Sequence, residues 1–172
     1  GESADYGAIA ESLLDLVRAE ARDADALLLA GSRPPFWPND LCLRIVREAH
    51  AAGVAVMADF HGADLSLVLD ESIPEIVKIN EDEFRATFGM PPTRDATGQC
   101  RDFALEAEIA RRSTELGNAI VVTRGARETI AAYRGEVIRE GIDAIDAVNT
   151  IGCGDSFAAG FLHAWIATRG DL

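Results

Sequence analysis

Four consecutive residues, Gly152-Cys153-Gly154-Asp155, place two glycines, a thiol and a carboxylate at the head of an apolar helical pattern. At a helix start the first backbone N–H groups lack intrahelical partners and the macrodipole is positive, so a negative ligand is favoured there. The glycines allow positive φ and a close approach to that ligand. Asp155, in the first turn, would set an acid beside the same space. Spacing alone leaves two readings open. One is an oxyanion or phosphate cradle with a neighbouring acid. The other is a glycine-rich turn capped by Asp155, which stabilises the helix by about 1 kcal/mol and does nothing else. Two further phosphate-binding patterns are excluded: a G-x-G-x-x-G turn would need glycine at Phe157, and no Gly-Lys-Ser/Thr loop occurs.

The elements that would position these residues follow from apolar periodicity. Spacing of three to four residues predicts helices over 8–21, 38–52 and 101–116, with Gly53 and Gly117 as stops. Between them, apolar runs at 26–30, 54–59, 75–79 and 119–123 are too short for helices and are bounded by turn residues. Continuous apolar strands alternating with helices predict an open, mainly parallel sheet covered on its faces by helices. Residues 129–134 and 136–140 flank Gly135 as an antiparallel hairpin, and a last helix runs over 154–168 with Phe157, Phe161, Leu162 and Trp165 on one side.

Ligands of such sheets bind outside the carboxyl ends of the strands. The four strand ends carry Gly31-Ser32, Asp59-Phe60-His61-Gly62, Asn80 to Glu83 and Thr123-Arg124-Gly125. Each alone reads equally as a turn or an N-cap. Their joint placement is what points to a site, with His61 a weak candidate for touching a substrate. No Ser/His/Asp pattern supports hydrolase chemistry.

Composition narrows the classes. A chain of 172 residues suits one domain. With 48% hydrophobic and 26% charged residues it reads as a soluble globular protein, and no apolar run approaches the roughly 20 residues of a membrane span. The net charge of −13 disfavours nucleic acid and anionic membranes, although a small anion needs only a local positive pocket. No signal-peptide pattern occupies residues 1–7, so a cytoplasmic location is expected. Cys42, Cys100 and Cys153 are an odd set without C-x-x-C spacing, which argues for reduced thiols over disulfides or structural zinc. Lys78 is the only lysine.

The stretch Asn149-Thr150-Ile151-Gly152-Cys153-Gly154-Asp155-Ser156-Phe157-Ala158-Ala159-Gly160 resembles the signature D/N-T-x-G-A-G-D-x-F-x-x-G of ribokinase-like, pfkB-type carbohydrate kinases, with Cys153 in place of the usual alanine. Lys78-Ile79-Asn80-Glu81-Asp82-Glu83 resembles the family's K-P-N-x-x-E, with Ile79 for proline. Gly31-Ser32-Arg33-Pro34-Pro35 looks like G-S-L-P-P, and Asp59, Gly62 and Leu65 like D-x-x-G-x-x-L. These details, with Asn149, favour the branch containing 1-phosphofructokinase and tagatose-6-phosphate kinase. Val121-Val122-Thr123-Arg124-Gly125 resembles the nucleotide-side strand and loop, except that Glu128 stands where T-x-G-x-x-G has glycine.

The resemblance implies a three-layer α/β/α ribokinase-like fold lacking its N-terminal part and lid, so that residues 1–172 would be the nucleotide and catalytic portion of a kinase domain. It implies ATP and Mg²⁺ as cofactors, admits a monovalent cation and a homodimer, and makes a sugar or sugar phosphate the acceptor. Asp155 would be the base, with the backbone of Gly152, Cys153 and Gly154 as the anion hole. Lys78, Asn80, Thr123 and Gly125 would meet the nucleotide, and Glu83 the metal. Several alternatives stay open. Lys78 reads as a point charge on a phosphate or as a solvated strand-end lysine. Cys153 is a thiol activated at a helix N-terminus or a small residue replacing alanine. Glu128 sits beyond the ATP contact or repels its phosphates. The whole chain is an active phosphotransferase portion or a catalytically silent nucleotide-binding or assembly module. By itself the chain is expected to show weak kinase activity or none.

Overall fold

A computed structural model describes residues 5–91, 102–141, 143, 149, 151–168 and 170. The chain runs α1 (Tyr6–Glu20), a short 3₁₀ turn (Ala21–Asp23), β1 (Ala26–Ala30), α2 (Leu41–Ala51), β2 (Ala55–Asp59), α3 (Gly62–Glu71), β3 (Ile76–Asn80), α4 (Glu81–Thr87), α5 (Asp102–Leu116), β4 (Ala119–Thr123), β5 (Thr129–Tyr133), β6 (Glu136–Glu140) and α6 (Cys153–Ala167). The strands form one sheet in the order β1-β2-β3-β4-β5-β6. The first four are parallel and the last two form the antiparallel hairpin expected around Gly135.

The pleat sorts side chains between two faces. Val56, Ala58, Val77, Ile79, Ile120 and Val122 point into the larger core, with residues of α2, α3, α4 and α5. Their sequence neighbours Met57, Ile76, Ala119 and Val121 point the other way, onto Ala158, Leu162 and Trp165 of α6. This is the three-layer α/β/α arrangement. The alternation also decides a functional question, because Lys78 shares the parity of Ile76 and is therefore directed to the α6 face.

Strands and long helices lie within a residue or a few of their expected bounds. Two helices, α3 and α4, are not among those expected from periodicity, although the strand ends before them read as a turn or an N-cap, and Asn80 is the N-cap of α4. The N-cap of α3, His61, makes no side-chain cap bond, so the start signal is missing. The seven residues of α4 are too few to show a helical period, and the helix is held by its capping box. No helix among the described residues is long and apolar enough to cross a membrane.

Candidate functional site

In β1 to β4 the carboxyl ends finish side by side. Ala30 pairs with Asp59 across β1 and β2, and Asn80 with Thr123 across β3 and β4. Over these ends stands the N-terminus of α6, and the gap between them is a cleft of about 280 Å³. Its walls bring together Ser32, Asp59, His61, Lys78, Asn80, Glu83, Thr123, Gly154 and Asp155 from every strand end marked in the sequence.

The helix start is built by its glycines. Gly152 is the N-cap of α6 and takes φ +78°, a left-handed conformation that costs other L-residues roughly 1–2 kcal/mol. Asn149 prepares the turn by accepting the Ile151 N–H on its side-chain oxygen at 2.9 Å. Since the N-cap has no side chain, it leaves the first-turn N–H groups uncapped from that position. Asp155 is the third helical residue, exposed and lining the cleft, and Gly152 rather than Asp155 holds the N-cap position. Gly152 and Cys153, unlike Gly154 and Asp155, are not among the cleft-lining residues.

Lys78 is not a solvated strand-end lysine. Its side chain is only 7% exposed, and Nζ donates to Asp59 Oδ2 at 2.8 Å, the Asp59 side chain being 13% exposed. The ammonium lies so close to α6 that a Cβ on Gly154 would stand 3.1 Å from Nζ. Glycine at 154 is therefore a matter of space, glycine at 152 a matter of φ. Burial raises the Asp59 carboxyl above its ordinary value; Lys78 offsets part of that rise, while the charges of Glu83 and Asp155 add to it. The cleft thus holds the carboxyl groups of Asp59, Glu83 and Asp155 together with the Lys78 side chain beside the helix start.

Asn80 and Glu83 form the α4 capping box. The Glu83 N–H donates to Asn80 Oδ1 and the Asn80 N–H to Glu83 Oε2, both at 2.9 Å. That fixes both side chains and leaves the Asn80 amide N–H₂ and Glu83 Oε1 outside the box, the latter 3.6 Å from His61 Nε2. A second cavity of about 230 Å³ shares Asn80 and Thr123 with the first and continues past Gly125, which takes φ +66°. Glu128 faces neither cavity and accepts from Arg124 Nη1 at 3.0 Å, with Arg139 Nη1 at 3.5 Å.

Among the described cysteines, Cys153 is exposed with Sγ 4.0 Å from the Asn149 carbonyl oxygen, whereas burial pushes the Cys42 thiol up to about 11. Cys100 lies outside the described residues, as do Val148 and Thr150 of the motif. Sequence reasoning missed the Lys78–Asp59 pair and the buried Glu81. Strand parity could have placed Lys78 on the α6 face, but nothing local announces its partner. Chemically, a helix N-terminus, a fixed ammonium and a nearby carboxylate suit an anion held beside a group that gives up a proton.

Residues 3–172 match the family described as pfkB family carbohydrate kinase. Among solved structures, Arabidopsis thaliana ribokinase complexed with ribose and ATP is 26% identical, the match covering 91% of this chain and 46% of that one at a TM-score of 0.65. Escherichia coli phosphofructokinase-2 in complex with substrates and products is 20% identical over 94% of this chain and 52% of that one, at a TM-score of 0.73. A Thermotoga maritima chain designated a possible 1-phosphofructokinase is 23% identical over 91% and 47%, at 0.70. These likenesses show a shared ribokinase-like fold, and the chain spans about half the length of each structure.

Proposed function

Because the chain belongs to the pfkB family of carbohydrate kinases, we propose that it carries the nucleotide and catalytic portion of an ATP-dependent phosphotransferase acting on a hydroxyl of a sugar or sugar phosphate. The observation that carries this reading is the Lys78 ammonium, buried on Asp59 and set against Gly154, in the same cleft as Asp155. A cation held at a helix N-terminus beside an exposed carboxylate suits a transferring phosphoryl group better than it suits any neutral ligand.

Phosphoryl transfer demands positioning and charge stabilisation more than a strong base, because its transition state is loose. Asp155 orients the acceptor hydroxyl and takes its proton as the bond to phosphorus forms. The N–H groups of the turn from Gly152 to Asp155 stabilise the charge on the phosphoryl oxygens. Lys78 adds a point charge from the sheet side, and Asn80, Thr123 and Gly125 line the passage to the second cavity, which accommodates the rest of the nucleotide. The donor set fits Mg²⁺ only in a shared site: among the described residues no three His, Cys, Asp or Glu come together to hold a metal, and Glu83 offers one carboxylate oxygen outside its capping box. That is compatible with a cation that takes one or two carboxylates plus substrate phosphates. When bound, Mg²⁺ neutralises charge on the phosphates.

The test is ADP release by the intact enzyme with ATP and fructose 1-phosphate, fructose 6-phosphate or tagatose 6-phosphate. Sugar-dependent turnover with at least one of them is expected. Nucleotide binding without turnover on any phosphorylated or free sugar would refute the kinase reading in favour of a catalytically silent binding or assembly module.

A further inference from the structure

Glu81 carries a buried carboxylate that joins the two sides of the second cavity. Its Oε1 accepts Nε and Nη2 of Arg85, one turn along α4, at 2.9 and 2.8 Å. Its Oε2 accepts Arg124 Nε at 3.0 Å and is also bonded by Arg127 Nη2, both from the loop after β4. The side chains of Glu81 and Arg124 are 4% and 1% exposed. Arg124 is gripped again from its other end, where Nη1 donates to Glu128 Oε1 at 3.0 Å.

The sheet fixes the backbone only as far as the Asn80–Thr123 pair. Beyond it the chain diverges, into α4 on one side and, on the other, into the turn through Gly125. Glu81 directly follows Asn80 and Arg124 directly follows Thr123, so their ion pair ties the two branches together one residue past the last strand contact. A carboxylate shared by guanidinium groups of both branches is directional and desolvated, and so defines their separation more tightly than apolar packing would. We infer that Glu81 is a positioning residue for nucleotide: it sets the width of the cavity between Asn80 and the Thr123–Gly125 turn, and Glu128 braces the same arginine where the family loop carries glycine.

This inference rests on the nucleotide reading of that cavity. It is tested with Glu81→Gln and Glu128→Gln in the intact enzyme, measuring ATP affinity by calorimetry alongside the KM values for ATP and sugar, and kcat. Glu81→Gln is expected to weaken ATP binding and raise its KM about tenfold or more, leaving the sugar KM and kcat at saturating ATP within about twofold. Glu128→Gln removes only the outer, partly exposed brace and is expected to raise the ATP KM about twofold to threefold with the same selectivity. Unchanged ATP affinity in folded Glu81→Gln, or a uniform loss in kcat and both KM values, would overturn the inference. If Glu81→Gln does not fold, Glu128→Gln decides, and an unchanged ATP KM there would overturn it. ATP binding by the wild type with no effect of either substitution would refute the inference alone, whereas a wild type that binds no nucleotide would refute the reading beneath it.

Discussion

A methyl group added at Gly154 would stand 3.1 Å from Lys78 Nζ, where ordinary contacts begin at 3.4 Å. The ammonium would have to retreat by a few tenths of an ångström. It has little freedom to do so, because Nζ is held by Asp59 at 2.8 Å and the two side chains are nearly closed to water that could replace that bond. The helix itself has no objection. Gly154 lies within α6 and is not among the positive-φ glycines, so alanine there favours the helix by up to about 1 kcal/mol. Gly154→Ala therefore sets two effects in opposite directions. Thermal unfolding should show a melting temperature unchanged or raised by roughly 2–4 °C, the shift that 1 kcal/mol gives a chain of this size. Turnover should fall about tenfold to a hundredfold, since small misplacements at a reacting centre cost up to about 10²-fold. The assay is kcat at saturating ATP and sugar beside a melting curve. A kcat within about twofold of wild type, with Lys78 and the fold intact, would refute the claim that Gly154 is glycine to admit the ammonium.

Gly152→Ala acts through the backbone instead, and its left-handed N-cap should cost about 1–2 kcal/mol, read as a drop in unfolding free energy in urea. Asp155→Asn should reduce kcat by about 10² or more while the melting temperature holds; retention of more than about a tenth of kcat would remove Asp155 as the base. Lys78→Met strips Asp59 of the group that opposes its burial, and should raise the ATP KM, lower kcat and cost about 3 kcal/mol of stability. The pH dependence of that stability loss has a definite sign. With its folded pKa raised above the unfolded value, Asp59 is more costly when ionised, so urea titrations should show the loss at neutral pH easing as pH falls through the carboxylate range. Alkylation by iodoacetamide should modify exposed Cys153 before buried Cys42, and ATP should slow it; equal rates, or no protection, would show that the thiol does not border the nucleotide.

Much of the architecture was legible because it is written in short-range pattern. The runs at 26–30 and 119–123 are strands with the expected bounds, the second buried and the first only half-buried, and Asp155 lies in the first turn of a helix as the spacing implied. Where local pattern is thin, the reading failed. His61 supplies no cap bond for α3, and α4 is held by a reciprocal bond between Asn80 and Glu83 that its length alone does not reveal.

By itself, then, the sequence determined the strand and helix rhythm, the glycine-acid helix start and the family resemblance, since each depends on residues a few positions apart. Tertiary structure decided what those residues do. It turned Lys78 toward α6 by strand parity, buried it on Asp59, and brought Arg124 onto Glu81 across 43 positions of sequence. It also gave Glu128 an arginine where the sequence offered only a missing glycine. Register across the sheet and the layering of helices over it fix such contacts, and no window of neighbouring residues contains that information.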